Sequence, residues 1–192
     1  MKPVSGPINR QTKINHMQIL NRTPLIYFNR RLKNPKGRKG LMKFKKILCP
    51  TDFSDPAAKA LKTAASLAMD YSSELLVVNV VEPIPTISGA DTLPLNYLQQ
   101  YLREAESAAK QRLKELVTKV VPAKIKVRPL ILTGQAALQI VDLADKKNVD
   151  LIVIATHGQT GLKRWVFGSV TERVLKLTSR PVLIIQASPK KR

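Results

Sequence analysis

A length of 192 residues allows one domain with a substantial core and an extension, but not two domains of ordinary size. Apolar residues make up 44% of the chain, and no apolar run approaches the roughly 18 residues of a membrane-spanning helix, which predicts a soluble protein. The single cysteine, Cys49, excludes an intramolecular disulfide and predicts a reducing compartment, the cytoplasm. Its position at a strand end predicts buried packing rather than a nucleophile.

The positive charge is unevenly distributed along the chain. Residues 1–42 contain ten Lys or Arg and no Asp or Glu, and they carry half of the formal net charge of +20. Scattered prolines, and apolar clusters with neither helical nor strand spacing, predict little fixed structure there. Three interpretations stay open: a disordered basic arm that contacts nucleic acid through phosphates, a solvated tail without a role, or sequence upstream of a true start at Met42.

From residue 43 to 192 the sequence predicts one domain, in which short apolar runs alternate with helical patterns. The first predicted strand, at residues 46–50, is followed by a helix with Asp55 as its capping residue. The nearly continuous apolar run at 75–81 predicts a strand buried on both faces. A proline-containing loop then leads into a long helix that ends before Pro122.

The second half of the domain continues the alternation. A strand is predicted at 125–132, where Pro129 indicates a sheet edge or a bulge. A helix from about Gln135, a strand at 150–156, a further helix and a last strand at 182–186 complete the pattern. Five strands joined by helices predict the α/β class, with a doubly wound parallel sheet that carries helices on both faces.

Two loops at strand ends are candidates for a binding site, because open parallel sheets bind ligands outside the carboxyl ends of their strands. The first is the segment 50–54, and the second runs from Ala155 to Ser169. The second loop leads into a helix whose free N–H groups and hydroxyls would suit a phosphate, and Gly158 lets the backbone approach a ligand. Residues 169–172 also match a capping box, which needs no ligand, so both interpretations stay open.

The motifs of this chain resemble those of one family. The strand ending in Pro-Thr-Asp-Phe-Ser at 50–54, the run 150–158, the segment 168–172 nine residues later and the closing Arg-Pro-Val-Leu-Ile at 180–184 resemble the universal stress protein family. The resemblance covers about residues 43–187. It implies a five-stranded parallel sheet of order 3-2-1-4-5, a Rossmann-like fold related to the adenine nucleotide alpha hydrolases, and homodimers joined through the last strand, Val182 to Gln186.

The same resemblance implies a site for an adenine nucleotide. Nucleotide-binding members have the pattern G-x2-G-x9-G-[S/T], which this chain matches at Gly158, Gly168 and Ser169. Ala155 stands at the first glycine position. Its methyl group costs little if the backbone there has a negative φ, but affinity falls if the position needs a positive φ or touches the ribose closely.

The resemblance also assigns roles within this site. Asp52 with Pro50 would hold the adenosine, Val80 and Ile154 would flank the base, and Val170 would donate a backbone N–H to a phosphate. The alternatives are a turn role for Asp52 and plain core roles for Val80 and Ile154. The complete predicted site is Pro50, Thr51, Asp52, Val80, Ile154, Ala155, His157, Gly158, Gly168, Ser169, Val170 and Thr171.

The sequence argues against a metabolic enzyme. It contains no G-x-S-x-G elbow, no G-x-x-x-x-G-K-[S/T] loop and no G-x-G-x-x-G turn. Only Asp52 or His157 could activate a water molecule, so slow ATP hydrolysis is the most that we expect. The prediction is a stress-linked regulatory or signalling module that binds ATP, with Mg or Mn on the phosphates. Two alternatives stay open: a dimeric interaction protein of the same fold without nucleotide, which Ala155 favours, and nucleic-acid contact through residues 1–42.

Overall fold

A six-stranded sheet organises the part of the chain that this computed structural model describes, which comprises residues 25–27, 44–83, 94–156 and 168–186. The strands are β1 (Leu25–Tyr27), β2 (Lys46–Pro50), β3 (Glu74–Val81), β4 (Val127–Thr133), β5 (Leu151–Ala155) and β6 (Val182–Ile185). The helices are α1 (Asp55–Tyr71), α2 (Leu95–Val120), α3 (Ala136–Lys146) and α4 (Ser169–Leu177). No helix among these residues is long and apolar enough to cross a membrane.

The five parallel strands have the predicted order. The sheet runs β1-β6-β5-β2-β3-β4, so the strands from β2 onward, renumbered from one, give 3-2-1-4-5 when read from β4. The first of them, β2, pairs with β3 on one side and with β5 on the other, and Ile47 is the register partner of both Leu75 and Leu151. The winding direction therefore reverses beside β2, and the chain leaves β2 and β5 at neighbouring positions of the same sheet edge.

The sixth strand comes from the N-terminal extension. β1 pairs antiparallel with β6, and Ile26 lies opposite Leu183. Residues 25–27 thus form a strand in a segment for which the sequence pattern predicted little fixed structure, because three residues are too few to show a strand period and the hydrogen-bonding partner lies far along the chain. The rest of residues 1–42 lies outside the described residues, so the interpretations of the extension stay predictions.

Apolar residues fill both faces of the sheet, as the prediction of helices on both faces requires. Side chains alternate along β2, so Ile47 and Cys49 pack in the core with α1 and α2, whereas Leu48 packs in the core with α3 and α4. Fully buried anchors from the helices complete the two layers, Leu61 of α1 on one face and Ile140 of α3 on the other. This double burial explains why the strands read as continuous apolar runs.

The N-cap of α1 differs from the residue that the sequence predicted. Ser54, not Asp55, is the capping residue, because its Oγ accepts the Ala57 N–H at 3.3 Å. The Asp52 carboxylate orients Ser54 by accepting its backbone N–H at 3.1 Å and its hydroxyl at 2.6 Å. Asp55 instead lies in the first turn, where its negative charge interacts favourably with the helix dipole.

The strand β4 forms the edge opposite β1, as Pro129 predicted. It pairs only with β3 in the sheet order, and both Arg128 and Pro129 are exposed there. Proline cannot donate a ladder hydrogen bond and is confined to such edges. This edge is therefore protected by its own residues.

An ion pair beside this edge gives a testable pH dependence. Burial by itself raises the pKa of Glu74, but the charges of Arg128 and Lys126 outweigh burial and hold that pKa below its ordinary value. A lowered folded-state pKa stabilises the fold above the unfolded-state pKa of about 4.5, and this contribution is lost as the pH falls through the folded-state pKa. The cations are more than half exposed, so the contribution is about 0.5–1 kcal/mol.

Glu74→Gln is therefore expected to lower the free energy of unfolding at pH 7 by about that amount, and to leave it unchanged at a pH below both pKa values. Urea unfolding at the two pH values measures the difference. Arg128→Gln should reproduce much of the loss at pH 7, and the double variant should lose less than the sum. A Glu74→Gln stability profile that runs parallel to the parent profile across this range would contradict the ion pair.

Candidate functional site

A cavity of about 460 Å³ opens at the carboxyl ends of β2, β3 and β5. Its size falls within the range of roughly 300–1,000 Å³ that small-molecule sites occupy. Ten of the twelve predicted site residues line it: Pro50, Thr51, Asp52, Val80, Ile154, Ala155, Gly168, Ser169, Val170 and Thr171. The other two, His157 and Gly158, lie outside the described residues. The structure thus brings the first predicted loop and the two described ends of the second together, while the binding role of their residues stays a prediction.

The loop after β2 is held in place by hydrogen bonds that converge on Thr51. The Thr51 N–H donates to the Val78 carbonyl at 2.8 Å, and the Thr51 carbonyl accepts from the Asn79 side-chain amide at 2.8 Å. Asn79 is buried and lines the cavity, and the sequence analysis did not identify it. The available signal was a polar residue within a buried apolar strand, which needs a specific partner.

Phe53, two residues after Thr51, has a strained backbone. Phe53 has a φ of 64°, in the left-handed region that bulky residues seldom adopt. Its N–H donates to Thr51 Oγ1 at 3.1 Å, and the Arg112 guanidinium lies 4.4 Å from the centre of its ring. Such strain is maintained only where the surroundings enforce it, and it concentrates at functional sites. The enforced turn leaves Asp52, the residue between them, at the cavity wall.

The Asp52 carboxylate itself has the turn role that the sequence offered as an alternative, since Oδ1 accepts the two hydrogen bonds from Ser54. Asp52 also lines the cavity. The turn role and a ligand role are therefore compatible, because a carboxylate has lone pairs for several donors.

The second loop returns to the cavity at the start of α4. Gly168 is the capping residue of this helix, and its N–H donates to the Thr156 carbonyl at 2.6 Å. No side chain among the described residues caps α4, so the capping box that residues 169–172 suggested is not formed. The hydroxyl of Thr171 donates to the Ala155 carbonyl at 2.8 Å and ties α4 to β5. That hydroxyl therefore stabilises the fold, and the first residues of α4, Ser169 and Val170, line the cavity.

Three helices begin at this cavity, and their N-termini differ. Ser54 caps α1, and at α3 the Ala136 N–H donates to the Glu82 carboxylate at 2.9 Å. In the described part of the chain α4 has no comparable side-chain acceptor. The cavity is therefore polarised, with a carboxylate at the α3 end and the positive end of a helix dipole at the α4 end. Glu82 was missed by the sequence analysis, although an acidic residue directly after a strand is a signal for this edge of the sheet.

The wall between these two ends is apolar. Val78 and Ile154 are buried in the core shared with α3 and α4, Val80 packs against that core, and all three line the cavity. Val80 and Ile154, the predicted base contacts, thus both pack with the core and line the cavity. A flat aromatic ligand would bury apolar surface against this wall.

The backbone at Ala155, where the glycine pattern has its first glycine, does not require a glycine. Ala155 lies in the extended strand β5, and the described non-glycine residues with positive φ are Phe53, Ser72 and Asn148. An alanine is therefore accommodated without strain at the position where other members have glycine. The residue is buried and contributes to the cavity wall.

Cys49 lies at the end of β2 but does not line this cavity. The residue is fully buried, and burial raises the pKa of its thiol to about 12. The thiolate, which is the reactive form, is therefore scarce near neutral pH. Among the described residues no group of three or more His, Cys, Asp or Glu is arranged to hold a metal ion.

The sheet order, the switch point beside β2 and the polarised cavity define a doubly wound α/β protein with a ligand-sized cleft at its strand ends. The family model described as "Universal stress protein family" matches residues 43–186. The chain belongs to the universal stress protein family, as its motifs predicted.

Individual relatives agree with this assignment. Universal stress protein MJ0531 of Methanocaldococcus jannaschii is 35% identical over 154 residues, which are 80% of this chain and 88% of that protein. The solved structure of protein MJ0577 from the same organism has a TM-score of 0.68 at 29% identity and covers 78% of this chain and all of that chain. A universal stress protein from Archaeoglobus fulgidus, solved in complex with dAMP, has a TM-score of 0.52 and covers 75% of this chain and 99% of that chain. At 24% identity, that last likeness is one of fold.

Proposed function

We propose that this protein binds ATP in the cavity at the ends of β2 and β5 and acts as a stress-linked regulatory or signalling module, with at most slow hydrolysis. The single observation that supports this most is the start of α4, which reaches the cavity without a side-chain cap. Backbone N–H groups at such a helix start bind phosphate readily, because their partners are missing and the helix dipole favours negative charge.

The polarity of the cavity suggests how the nucleotide would lie. The phosphates would meet the N–H groups of Ser169 and Val170, and the base would occupy the apolar wall near Val80 and Ile154. Asp52 and Pro50 would then be beside the adenosine. This arrangement places the phosphates away from the Glu82 carboxylate at the α3 end, which would repel them.

A divalent cation, Mg²⁺ or Mn²⁺, would accompany the triphosphate in this proposal. Mg²⁺ is commonly held by one or two carboxylates, phosphate oxygens and water rather than by a cage of protein ligands. The dAMP complex of the Archaeoglobus fulgidus protein illustrates that a protein of this fold accepts an adenine nucleotide. A cytoplasmic location is part of this proposal, because the single cysteine of the chain fits a reducing compartment.

Two other functions follow from specific observations. An interaction protein without nucleotide is favoured by Ala155, which departs from the glycine pattern of the nucleotide-binding members. Nucleic-acid contact is favoured by the ten basic and no acidic residues of the segment 1–42. A nucleic-acid gel shift that the full chain gives and a chain starting at Met42 does not would support this last function.

Calorimetric titration of the full chain with ATP and Mg²⁺ tests the proposal directly, and Asp52→Ala is the informative variant. We expect ATP to bind to the parent and to bind roughly tenfold to a hundredfold more weakly to the variant, because a hydrogen bond to a charged group is lost. Absence of binding heat with the parent, together with no nucleotide retained through purification, would contradict ATP binding.

Ser54→Ala is the matched control for this experiment. It removes both hydrogen bonds that involve the Ser54 hydroxyl, with Asp52 and with the Ala57 N–H, while the Asp52 carboxylate stays in place. We expect Ser54→Ala to change ATP affinity much less than Asp52→Ala. Equal losses would show that Asp52 acts through the loop geometry rather than on the ligand.

A further inference from the structure

The helix α2 contributes none of the described residues that line the cavity, yet one of its side chains reaches the loop after β2. Arg112, in the second half of α2, places its guanidinium carbon 4.4 Å from the centre of the Phe53 ring. Asp52, the residue before Phe53, lines the cavity. A residue outside the cavity is therefore connected to a residue of its wall by way of the Phe53 ring.

We propose that Arg112 is a positioning residue, which holds the turn at Phe53 closed and thereby fixes Asp52 at the cavity wall. The consequence for ligand affinity rests on the proposed binding of ATP beside Asp52, whereas the effect on the loop itself does not. Arg112 acts without touching the ligand, because it does not line the cavity.

The turn at Phe53 needs contacts from outside the loop, because its own backbone conformation is unfavourable. A φ of 64° lies in the left-handed region, which a bulky side chain seldom adopts. The hydrogen bonds within the turn are local ones, since the Phe53 N–H donates to Thr51 Oγ1 and the Ser54 N–H donates to Asp52 Oδ1, both at 3.1 Å. Local bonds of this kind form in several loop conformations and do not by themselves favour this one.

Contacts of two kinds hold the Phe53 ring. Phe53 is half-buried and packs against the core cluster that includes Leu61 and Leu113. Arg112 supplies the other contact, since a guanidinium over an aromatic face is attracted by the negative charge of the π cloud and stacks on the ring. Leu113, the next residue of α2, is buried in the core and anchors the helix there. Arg112 therefore meets the ring from a rigid element rather than from another loop.

The expected size of the effect is moderate. Arg112 is exposed, and a cation–π contact at an exposed site changes an equilibrium by about twofold to fivefold. Because a strained turn is only weakly favoured, a loss of this size empties an appreciable part of the closed population. The affinity for a ligand that needs the closed turn falls with that population.

Three substitutions in the full chain test the role of Arg112. Arg112→Gln removes the cation, Arg112→Lys keeps a cation that can lie over the ring, and Arg103→Gln removes the same charge from another exposed position of α2. Amide hydrogen exchange followed by NMR without nucleotide reports the opening of the loop at Phe53 and Ser54, whose N–H groups are hydrogen-bonded within the turn. Calorimetric titration with ATP and Mg²⁺ reports the consequence for binding.

We expect the Phe53 and Ser54 amides to exchange about twofold to fivefold faster in Arg112→Gln than in the parent, and ATP to bind about twofold to fivefold more weakly. Arg112→Lys should stay closer to the parent than Arg112→Gln does, and Arg103→Gln should match the parent in both measurements. Equal exchange in Arg112→Gln and the parent would overturn the proposal. Equal losses of affinity in Arg112→Gln and Arg103→Gln would also overturn it, since the cause would then be long-range attraction between the helix and an anionic ligand.

A double-mutant cycle with Phe53→Leu separates positioning through the ring from other effects of the charge. Leucine keeps an apolar side chain against the core but has no π face for the guanidinium. If Arg112 acts through the ring, Arg112→Gln should have almost no further effect on exchange at Ser54 in the Phe53→Leu background. An effect of the same size in both backgrounds would show that Arg112 acts elsewhere, which contradicts the proposed role.

Failure of the proposed function and failure of this role are distinguishable. If the parent binds no ATP, the proposed function is wrong; faster exchange in Arg112→Gln then still supports the positioning of the turn, and equal exchange overturns it. If ATP binds to the parent, and Arg112→Gln exchanges faster with unchanged affinity, the turn does not position Asp52 for a ligand and the proposal is overturned.

Discussion

Gly168→Val is expected to lower the affinity for ATP by at least about a hundredfold, which corresponds to roughly 2.7 kcal/mol of binding free energy. Gly168 is the capping residue of α4 and lines the cavity beside the N–H groups proposed to bind phosphate. A valine places a branched side chain where the ligand would approach. The backbone of Gly168 has a φ of −61° and a ψ of 152°. Valine adopts these angles without strain, so the fold should tolerate the change.

Arg173→Val is the matched control for this prediction. Arg173 is exposed on the same helix and is not part of the cavity lining, so ATP affinity should stay close to that of the parent. Thermal unfolding of both variants checks that the fold is intact. If Gly168→Val binds ATP as tightly as the parent, the phosphates do not lie at the start of α4. If the parent itself binds no ATP, the proposed ATP-binding function is wrong, and not only the proposed orientation of the nucleotide.

Leu61→Ala should have the largest effect on stability, lowering the free energy of unfolding by about 2–5 kcal/mol. Leu61 of α1 is completely buried in the core between α1, α2 and the sheet. Its truncation removes apolar contacts and leaves a cavity that rigid neighbours fill only in part. Because domains of this size are stable by about 5–15 kcal/mol, the loss is a large fraction of the total.

Urea unfolding measures this loss, with Leu138→Ala as the control. Leu138 of α3 is 44% exposed, so the same chemical change should cost less than about 1 kcal/mol there. ATP titration of Leu61→Ala well below its unfolding transition should show nearly unchanged affinity, because Leu61 does not line the cavity. Similar stability losses for the two variants would contradict the packing of α1 against the sheet.

Local patterns in the sequence were sufficient to predict the strands and helices of the parallel core. Strands buried on both faces are almost continuously apolar, as in Leu75 to Val81 with its one polar residue, and the helices between them have one apolar face. The two kinds of element are therefore distinguishable by period. The position of the cavity could also be predicted. Parallel strands direct their carboxyl ends to one edge of the sheet, and the loops after β2 and β5 therefore had to meet there.

Contacts between distant segments could not be predicted in this way. The N-terminus of α3 is satisfied by Glu82, which lies more than fifty residues earlier, and the Asn79 amide donates to the carbonyl of Thr51 in the preceding strand-end loop. Each of these side chains has several possible partners, and only the folded chain determines which one is within reach.

The sequence by itself determined the α/β alternation, the family and the edge of the sheet where a ligand would bind, because these depend on the burial of each segment and on its order. The tertiary structure decided which helix N-terminus at the cavity has no side-chain cap among the described residues, and which strand covers β6. Those outcomes depend on hydrogen bonds between residues far apart in the chain, such as the pairing of Ile26 with Leu183, and no local pattern records them.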